Sequence, residues 1–319
     1  MEIKEIGVVG AGTMGASIAY LMAFNGYEVH LVDINDEMLN RGKMNIEKIM
    51  QSQLKFSNGR SEKEIEKIEK LGVKLTDEQK EQIRKTLKSS YTDEVVNLIS
   101  KRIHYSLKYD EMKKCQLIIE AAFENIDVKK EIIQKLGGIM DGKAILASNS
   151  SSLSVTQMSK FYRYPERFIL THFFNPPYTL PLVEIVRSME TSDETFEQTM
   201  SFFSGLKNHR GPVKPISVKE VPGFLVNRIL VPMINEAFFM LDEGVASAKD
   251  IDSAMKYGAG MPMGPLELAD MVGIDVTYDV MKILYEEYAD PKFRPSNLLK
   301  MYRNAGKLGR KTGKGVYSY

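Results

Sequence analysis

Residues 4–9 form a short apolar run, after which the string GAGTMG opens a segment whose apolar positions recur through Ile18, Leu21 and Met22 at helical spacing. Residues 27–33 are a second β-rich run that ends on Asp33. The order strand, glycine turn, helix, strand predicts a βαβ unit of a parallel sheet. Further strands are expected at 117–121, 144–147, 167–173 and around 182–186, with helical segments between them. Alternation of this kind predicts an α/β fold built on a doubly wound sheet. Between residues 34 and 101 the alternation stops, and lysine and glutamate take over. Two capping-box patterns, Ser61 with Glu64 and Thr76 with Gln79, and a narrow stripe of Ile65, Ile68 and Leu71 predict an antiparallel helical arm at about 40–101. A solvated charged hairpin is the plainest description of it.

The stretch NHRGPVKPISVKEVPG, 208–223, reads as a last strand plus a linker. Beyond it the pattern is helical: 224–242 closed by Gly244, then 248–256, 265–271 and 276–287, with Pro232 expected to kink or break the first. Two domains follow, 1–216 carrying the sheet and arm, and an all-α one at 217–319.

Composition narrows the functional classes. A formal charge of +1 offers no electrostatic footprint for nucleic acid or an anionic membrane surface. No apolar run approaches the ~20 residues of a membrane span. The N-terminus enters a fold at once and VYSY is no sorting signal, so a cytoplasmic location is expected. The one cysteine, Cys115, excludes an intramolecular disulfide and a thiolate metal site, and is expected to be buried as a small apolar residue. None of the four histidines pairs at metal-ligand spacing, so no metal is expected.

Gly10, Gly12 and Gly15, with Ala11, Thr13 and Met14 between them, satisfy G-x-G-x-x-G. Among 23 glycines such a string is weak by itself. Here a strand precedes it, a helix follows, and Asp33 closes the next strand. In a Rossmann-type unit Gly10 makes the tight turn, Gly12 admits a pyrophosphate, and Gly15 lets helix and strand approach. Asp33 suits ribose hydroxyls and repels a 2′-phosphate, which favours NAD over NADP. The alternative is a similar turn that binds another nucleotide or none.

His172 stands in ILTHFFNPPYTLPLVEIV, 169–186, at the end of an expected strand, where such sheets dock ligands. Asn175 follows in a proline-bounded loop, and Glu184 lies on the next strand. Oxidising an alcohol with NAD needs a base for the hydroxyl proton, and imidazole works best near neutrality. A buried carboxylate on its other nitrogen fixes the tautomer. His30 and His104 in strand-like pieces and His209 in a polar loop read instead as ordinary histidines with satisfied rings. ASNSSSLSV, 147–155, follows another strand end, so Asn149 and a serine hydroxyl are expected at the crevice, against the bland reading of a capped serine turn.

Taken in order, GVVGAGTMGASIA, IIEAAFENIDVKKEI, ILASNSSSLSV, THFFNPPYTLPLVEIV, VPGFLVNRILVPMINEA, YGAGMPMGPLELADMVGID and GRKTGKGVYSY resemble the L-3-hydroxyacyl-CoA dehydrogenase family over almost the whole chain. The length is similar to that of short-chain members acting on 3-hydroxybutyryl-CoA. The resemblance implies His172 as catalytic base with Glu184 as partner, and Ser151 and Asn227 as hydrogen-bond partners of the reacting oxygen of an acyl-CoA substrate. It also implies NAD contacts from the Gly10–Gly15 loop, Asp33, Glu124, Lys129, Ser151, Asn175 and Lys311, a substrate held between the domains, and a homodimer joined through the C-terminal helices. Without it, Glu124 and Lys129 would pass as an ordinary surface pair and Lys311 as a tail lysine. PLVE at 181–184 is closer to sister enzymes acting on gulonate or carnitine, which leaves that substrate class open beside the thioester. A non-enzymatic nucleotide-binding relative is the third reading.

Overall fold

The computed structural model describes residues 2–319, which divide into two compact units between Ser217 and Val218. The first unit begins with β1 (Glu5–Val9), α1 (Thr13–Phe24) and β2 (Glu28–Val32), the βαβ unit expected from the pattern. Four helices follow: α2 (Asp36–Asn58), α3 (Arg60–Lys70), α4 (Asp77–Thr86) and α5 (Asp93–Lys101). The chain then returns to the sheet through β3 (Ile103–Ser106), β4 (Leu117–Glu120), α6 (Ile126–Ile139), β5 (Ile145–Ser148), α7 (Val155–Ser159), β6 (Phe168–Phe173) and β7 (Leu182–Arg187). It closes with α8 (Asp193–Ser204), a small hairpin of β8 (Lys207–Asn208) and β9 (Gly211–Pro212), and β10 (Lys214–Val218).

The sheet order is β10-β7-β6-β5-β4-β1-β2-β3. Strands β1 to β6 pair in parallel, and β7 returns antiparallel to β6. Chain order reverses at β1, whose neighbours are β2 and β4, so a crevice opens at the carboxyl ends of β1 and β4. Helices on both faces explain why the inner strands are continuously apolar rather than alternating. Ile6, Val8, Ile119, Ile145, Ala147 and Ile169 are fully buried, each large aliphatic contributing about 1.5–3 kcal/mol.

The arm differs in detail from the expectation. Helix α2 packs on α1 through Leu39, Gly42, Ile46, Ile49, Met50 and Leu54. Thr76 and Gln79 form their capping box. Ser61 and Glu64 do not, because α2 runs through Gly59 almost directly into α3 and leaves Ser61 inside a helix with no open N-terminus to cap. Of the predicted stripe, Ile65 is buried whereas Leu71 is 78% exposed. Helix α4 buries nothing, in keeping with a solvated hairpin tip.

Of the three other histidines, one departs from the reading of a satisfied ring. His30 bonds Glu5 through Nε2, but its buried Nδ1 has no partner among the described residues. His104 is a half-exposed edge residue paired with Glu28. His209 sits in the turn between β8 and β9 with its ring satisfied: its Nε2 lies 2.7 Å from the Tyr20 hydroxyl, and the ring packs among Tyr20, Phe24 and Tyr91. Burial lowers it to about 4. Cys115 is buried as expected, and burial pushes its thiol up to about 12.

The second unit is helical: α9 (Val226–Asp242), α10 (Ala248–Ser253), α11 (Pro265–Val272), α12 (Ile274–Tyr288) and α13 (Asn297–Asn304). Helix α9 packs against α11, α12 and α13 around Ile234, Phe238, Leu266, Met281, Leu284 and Leu299. It continues through Pro232 without a break. The predicted 248–256 helix ends earlier, at Ser253, and passes into a π-helical turn, Ala254–Gly258. The Asp270 carboxylate accepts the Val316 and Tyr317 N–H groups and pins the tail. No helix among the described residues is long and apolar enough to cross a membrane.

Candidate active site

The loop between β1 and α1 has the geometry of an anion cradle. Gly10 adopts φ +99°, and a Cβ there would meet the Ala121 carbonyl oxygen at 2.6 Å. At Gly15 a Cβ would lie 1.7 Å from the Gly10 oxygen, so helix and strand can approach this closely only with glycine. At Gly12, by contrast, a Cβ would meet nothing within 4 Å: the space in front of it is open. Gly12 is the N-cap of α1, no side chain caps that end, and the first turn holds no acidic residue. The first N–H groups of α1, at Thr13 and Met14, therefore stand open to an anion. Ala11 is buried behind them and donates its N–H to Asp33 Oδ2 at 2.6 Å, while Ile34 donates to Asp33 Oδ1 at 2.6 Å. The Asp33 carboxylate is thus locked at the end of β2, and each oxygen keeps lone pairs for a hydroxyl donor. These residues fit a dinucleotide with an unphosphorylated 2′-hydroxyl.

Glu124 and Lys129 are not a surface pair. Lys129 is 1% exposed, and its ammonium donates to both oxygens of Glu120, itself fully buried, at 2.7 and 2.9 Å. Glu124 Oε2 is further away, at 3.4 Å. Its Oε1 accepts from Ser150 Oγ (2.5 Å), Ser151 N–H (2.9 Å), Ser152 N–H (3.0 Å) and Ser152 Oγ (2.9 Å). Burial pushes the Glu124 carboxyl up, but the Lys129 charge and these donors outweigh it and hold it below the usual carboxylate range. The serines after β5 therefore divide: Ser154 caps α7 through the Gln157 N–H, and Ser150 and Ser152 grip Glu124. Ser151, half-buried, gives Glu124 only its N–H and keeps its hydroxyl for another partner. Asn149 Oδ1 accepts the Phe173 N–H at 3.0 Å and ties the serine loop to β6.

The twelve-residue gap between His172 and Glu184 is explained by β6 and β7. They form an antiparallel pair in which His172 stands directly opposite Glu184. His172 Nδ1 lies 2.7 Å from Glu184 Oε2, with the ring 6% exposed and the glutamate fully buried. A carboxylate only accepts, so Nδ1 carries the proton and Nε2 presents the lone pair. Phe174 packs edge-on to the imidazole at 4.7 Å. Asn175 is exposed in the loop just beyond, followed by a cis bond to Pro176.

The structure thus brings His172 to Glu184, Glu124 to Lys129 and Ser151, and Asp33 to the glycine loop. Asn227 and Lys311 belong to the second unit. Asn227 is half-buried in the first turn of α9, and Lys311 Nζ lies 2.6 Å from the Asp275 carboxylate. Glu120 was not foreseen, because a glutamate inside IIEAA gives no spacing signal that distinguishes it from a strand-end acid.

The 3-hydroxyacyl-CoA dehydrogenase NAD binding domain matches residues 5–80 and 60–220, and the C-terminal domain of the same family matches 223–319. The chain is 39% identical over 318 residues to a 3-hydroxybutyryl-CoA dehydrogenase of Bradyrhizobium diazoefficiens, covering 99% of this chain and 96% of the relative. To the mitochondrial hydroxyacyl-coenzyme A dehydrogenase of Rattus norvegicus it is 36% identical, covering 99% and 91%. The crystal structure of (S)-3-hydroxybutyryl-CoA dehydrogenase from Ralstonia eutropha superposes with a TM-score of 0.82 at 40% identity, covering 100% of this chain and 99% of that one. On the glycine loop, the site geometry and matches that span both units, the chain belongs to the 3-hydroxyacyl-CoA dehydrogenase family.

Proposed function

We propose that the protein interconverts an (S)-3-hydroxyacyl-CoA and the corresponding 3-oxoacyl-CoA with NAD, and that its substrate is 3-hydroxybutyryl-CoA and acetoacetyl-CoA. The observation that carries this reading is the buried His172–Glu184 pair, 2.7 Å apart, at the carboxyl end of a strand in the nucleotide-binding sheet.

When bound, NAD accepts a hydride from C3 of the hydroxyacyl chain. The Gly10–Gly15 loop and Asp33 would hold it, with Glu124, Lys129, Asn175 and Lys311 assigned to it by family resemblance. His172 Nε2 takes the C3 hydroxyl proton as the alcohol becomes a ketone, and returns it in the reverse direction. Glu184 keeps the lone pair on Nε2 and stabilises the imidazolium that forms, without itself accepting the proton. Ser151 and Asn227 donate hydrogen bonds to the C3 oxygen, where charge develops. The dry surroundings of His172 strengthen each of these interactions.

We also read the protein as a cytosolic homodimer joined through its C-terminal helices. Support comes from Leu225 and Ile229, 47% and 66% exposed, beside a cleft of about 690 Å³ that Phe224, Arg228, Pro232 and Phe293 also line. Pro181, the feature shared with gulonate and carnitine enzymes, keeps a second substrate class in the test. Acetoacetyl-CoA and dehydrocarnitine are offered with NADH, and gulonate with NAD. Turnover of the thioester alone is expected. Turnover of either other compound with none of the thioester would overturn the substrate assignment.

A further inference from the structure

The buried ion pair under the serine loop asks for a reason. Removing two charges from water costs several kcal/mol per ion, and apolar replacements of such pairs are often as stable or more so. Glu120, at the carboxyl end of β4, and Lys129, near the start of α6, are nonetheless 0% and 1% exposed. The Glu120 carboxylate is fully satisfied: it takes both bonds from the Lys129 ammonium, one from the Ser148 hydroxyl at 2.6 Å and one from the Ala122 N–H at 2.7 Å. Its own carbonyl accepts the Asn149 N–H at 2.7 Å. One residue thereby fixes β4, the end of β5 and the start of the serine loop.

One ammonium faces two carboxylates, at unequal range. Because Glu120 holds Lys129 at 2.7 Å, Glu124 stays 3.4 Å away and spends its other oxygen on the four donors of residues 150–152. If Glu120 lost its charge, Glu124 would be the one counter-charge left to a buried ammonium. It would be drawn inward, off the loop that presents Ser151.

We propose that Glu120 is a positioning residue for the reaction: it anchors Lys129 so that Glu124 remains free to clamp the serine loop, which sets the direction of the Ser151 hydroxyl. It touches neither substrate nor cofactor. The kinetic consequence rests on the dehydrogenase reading, whereas the loop consequence does not.

The test compares wild type with Glu120→Gln, which preserves shape and removes the charge. Three quantities are read: kcat and KM for acetoacetyl-CoA reduction by NADH, and amide exchange at residues 150–152. The expected result is a kcat at least tenfold lower with KM changed less than threefold, and exchange at least tenfold faster in the loop. Wild-type kcat and unchanged exchange, even with a lowered melting temperature, would make the pair a structural anchor only and overturn the proposal. Should Glu120→Gln not fold, Ser148→Ala removes one bond from Glu120 and keeps the ion pair. It should raise exchange at 150–152 to a smaller degree, and no change there counts against the idea. If wild type itself leaves the thioester untouched, the substrate reading fails while the exchange measurement still decides the role of Glu120.

Discussion

At residue scale the two glycines that flank the helix start do different jobs, and they separate in experiment. A Cβ on residue 15 collides with the Gly10 backbone, whereas one on residue 12 enters open space. Gly15→Ala should therefore lower stability by several kcal/mol or abolish folding, since backbone must move to admit the methyl. Gly12→Ala should melt within a few degrees of wild type yet bind NADH at least tenfold more weakly, which tryptophan-independent NADH fluorescence can measure. Asp33 makes a similar prediction about specificity. Its carboxylate already accepts two loop N–H groups, so Asp33→Asn should raise the NAD KM through loss of both ribose affinity and loop order, and narrow the preference over NADP. The glycines and Asp33 were legible because their spacing encodes a backbone shape. Glu120 was not, because its importance comes from a lysine nine positions on and a serine twenty-eight away, joined only by folding.

Among the elements, strands were read well wherever β1, β2, β4, β5, β6 and β7 present dense apolar runs. The antiparallel return of β7 was not readable from composition, yet it sets the His172–Glu184 contact: a hairpin puts the two in register, and a parallel crossover would not. Edge strand β3 showed only as a strand-like piece around His104, and the β8–β9 hairpin was obscure since short, half-exposed strands lack an apolar run. Helix α13, with Leu299 as its buried residue, was hidden for the same reason. In the arm, local chemistry predicted one cap and misjudged another, because a box needs a free helix end as well as the right residues. Thr76→Ala should cost about 1 kcal/mol locally. Since α4 buries no side chain, the loss should be visible as faster amide exchange within Asp77–Thr86 and leave the global melting temperature unchanged.

For the molecule as a whole, acid sensitivity follows from groups that fold in their less protonated form. His209 is held down to about 4 by burial in an aromatic cluster spanning α1, the arm and the β8–β9 hairpin. Between its ordinary value near 6.5 and about 4, the unfolded chain binds a proton that the folded one does not. Stability should fall with pH across that window, by at most about 1.4 kcal/mol per pH unit and less given the ring's partial exposure. Glu124, lowered by Lys129 and its serine donors, adds a further loss as pH drops below the carboxylate range. In His209→Phe the slope between pH 6.5 and 4 should flatten in urea melts, while the lower carboxylate-driven decline remains. The Cys115 thiol, pushed up to about 12, should resist alkylation at neutral pH until the chain unfolds.

The central claim is that one buried imidazole, steadied by Glu184, moves the proton while the nicotinamide takes or gives the hydride. It is tested most directly by the kcat for acetoacetyl-CoA reduction in wild type and His172→Gln, with NADH affinity measured alongside. A fall of about 10²–10⁴-fold with NADH binding within twofold is predicted. A His172→Gln enzyme that keeps its rate to within tenfold would contradict it.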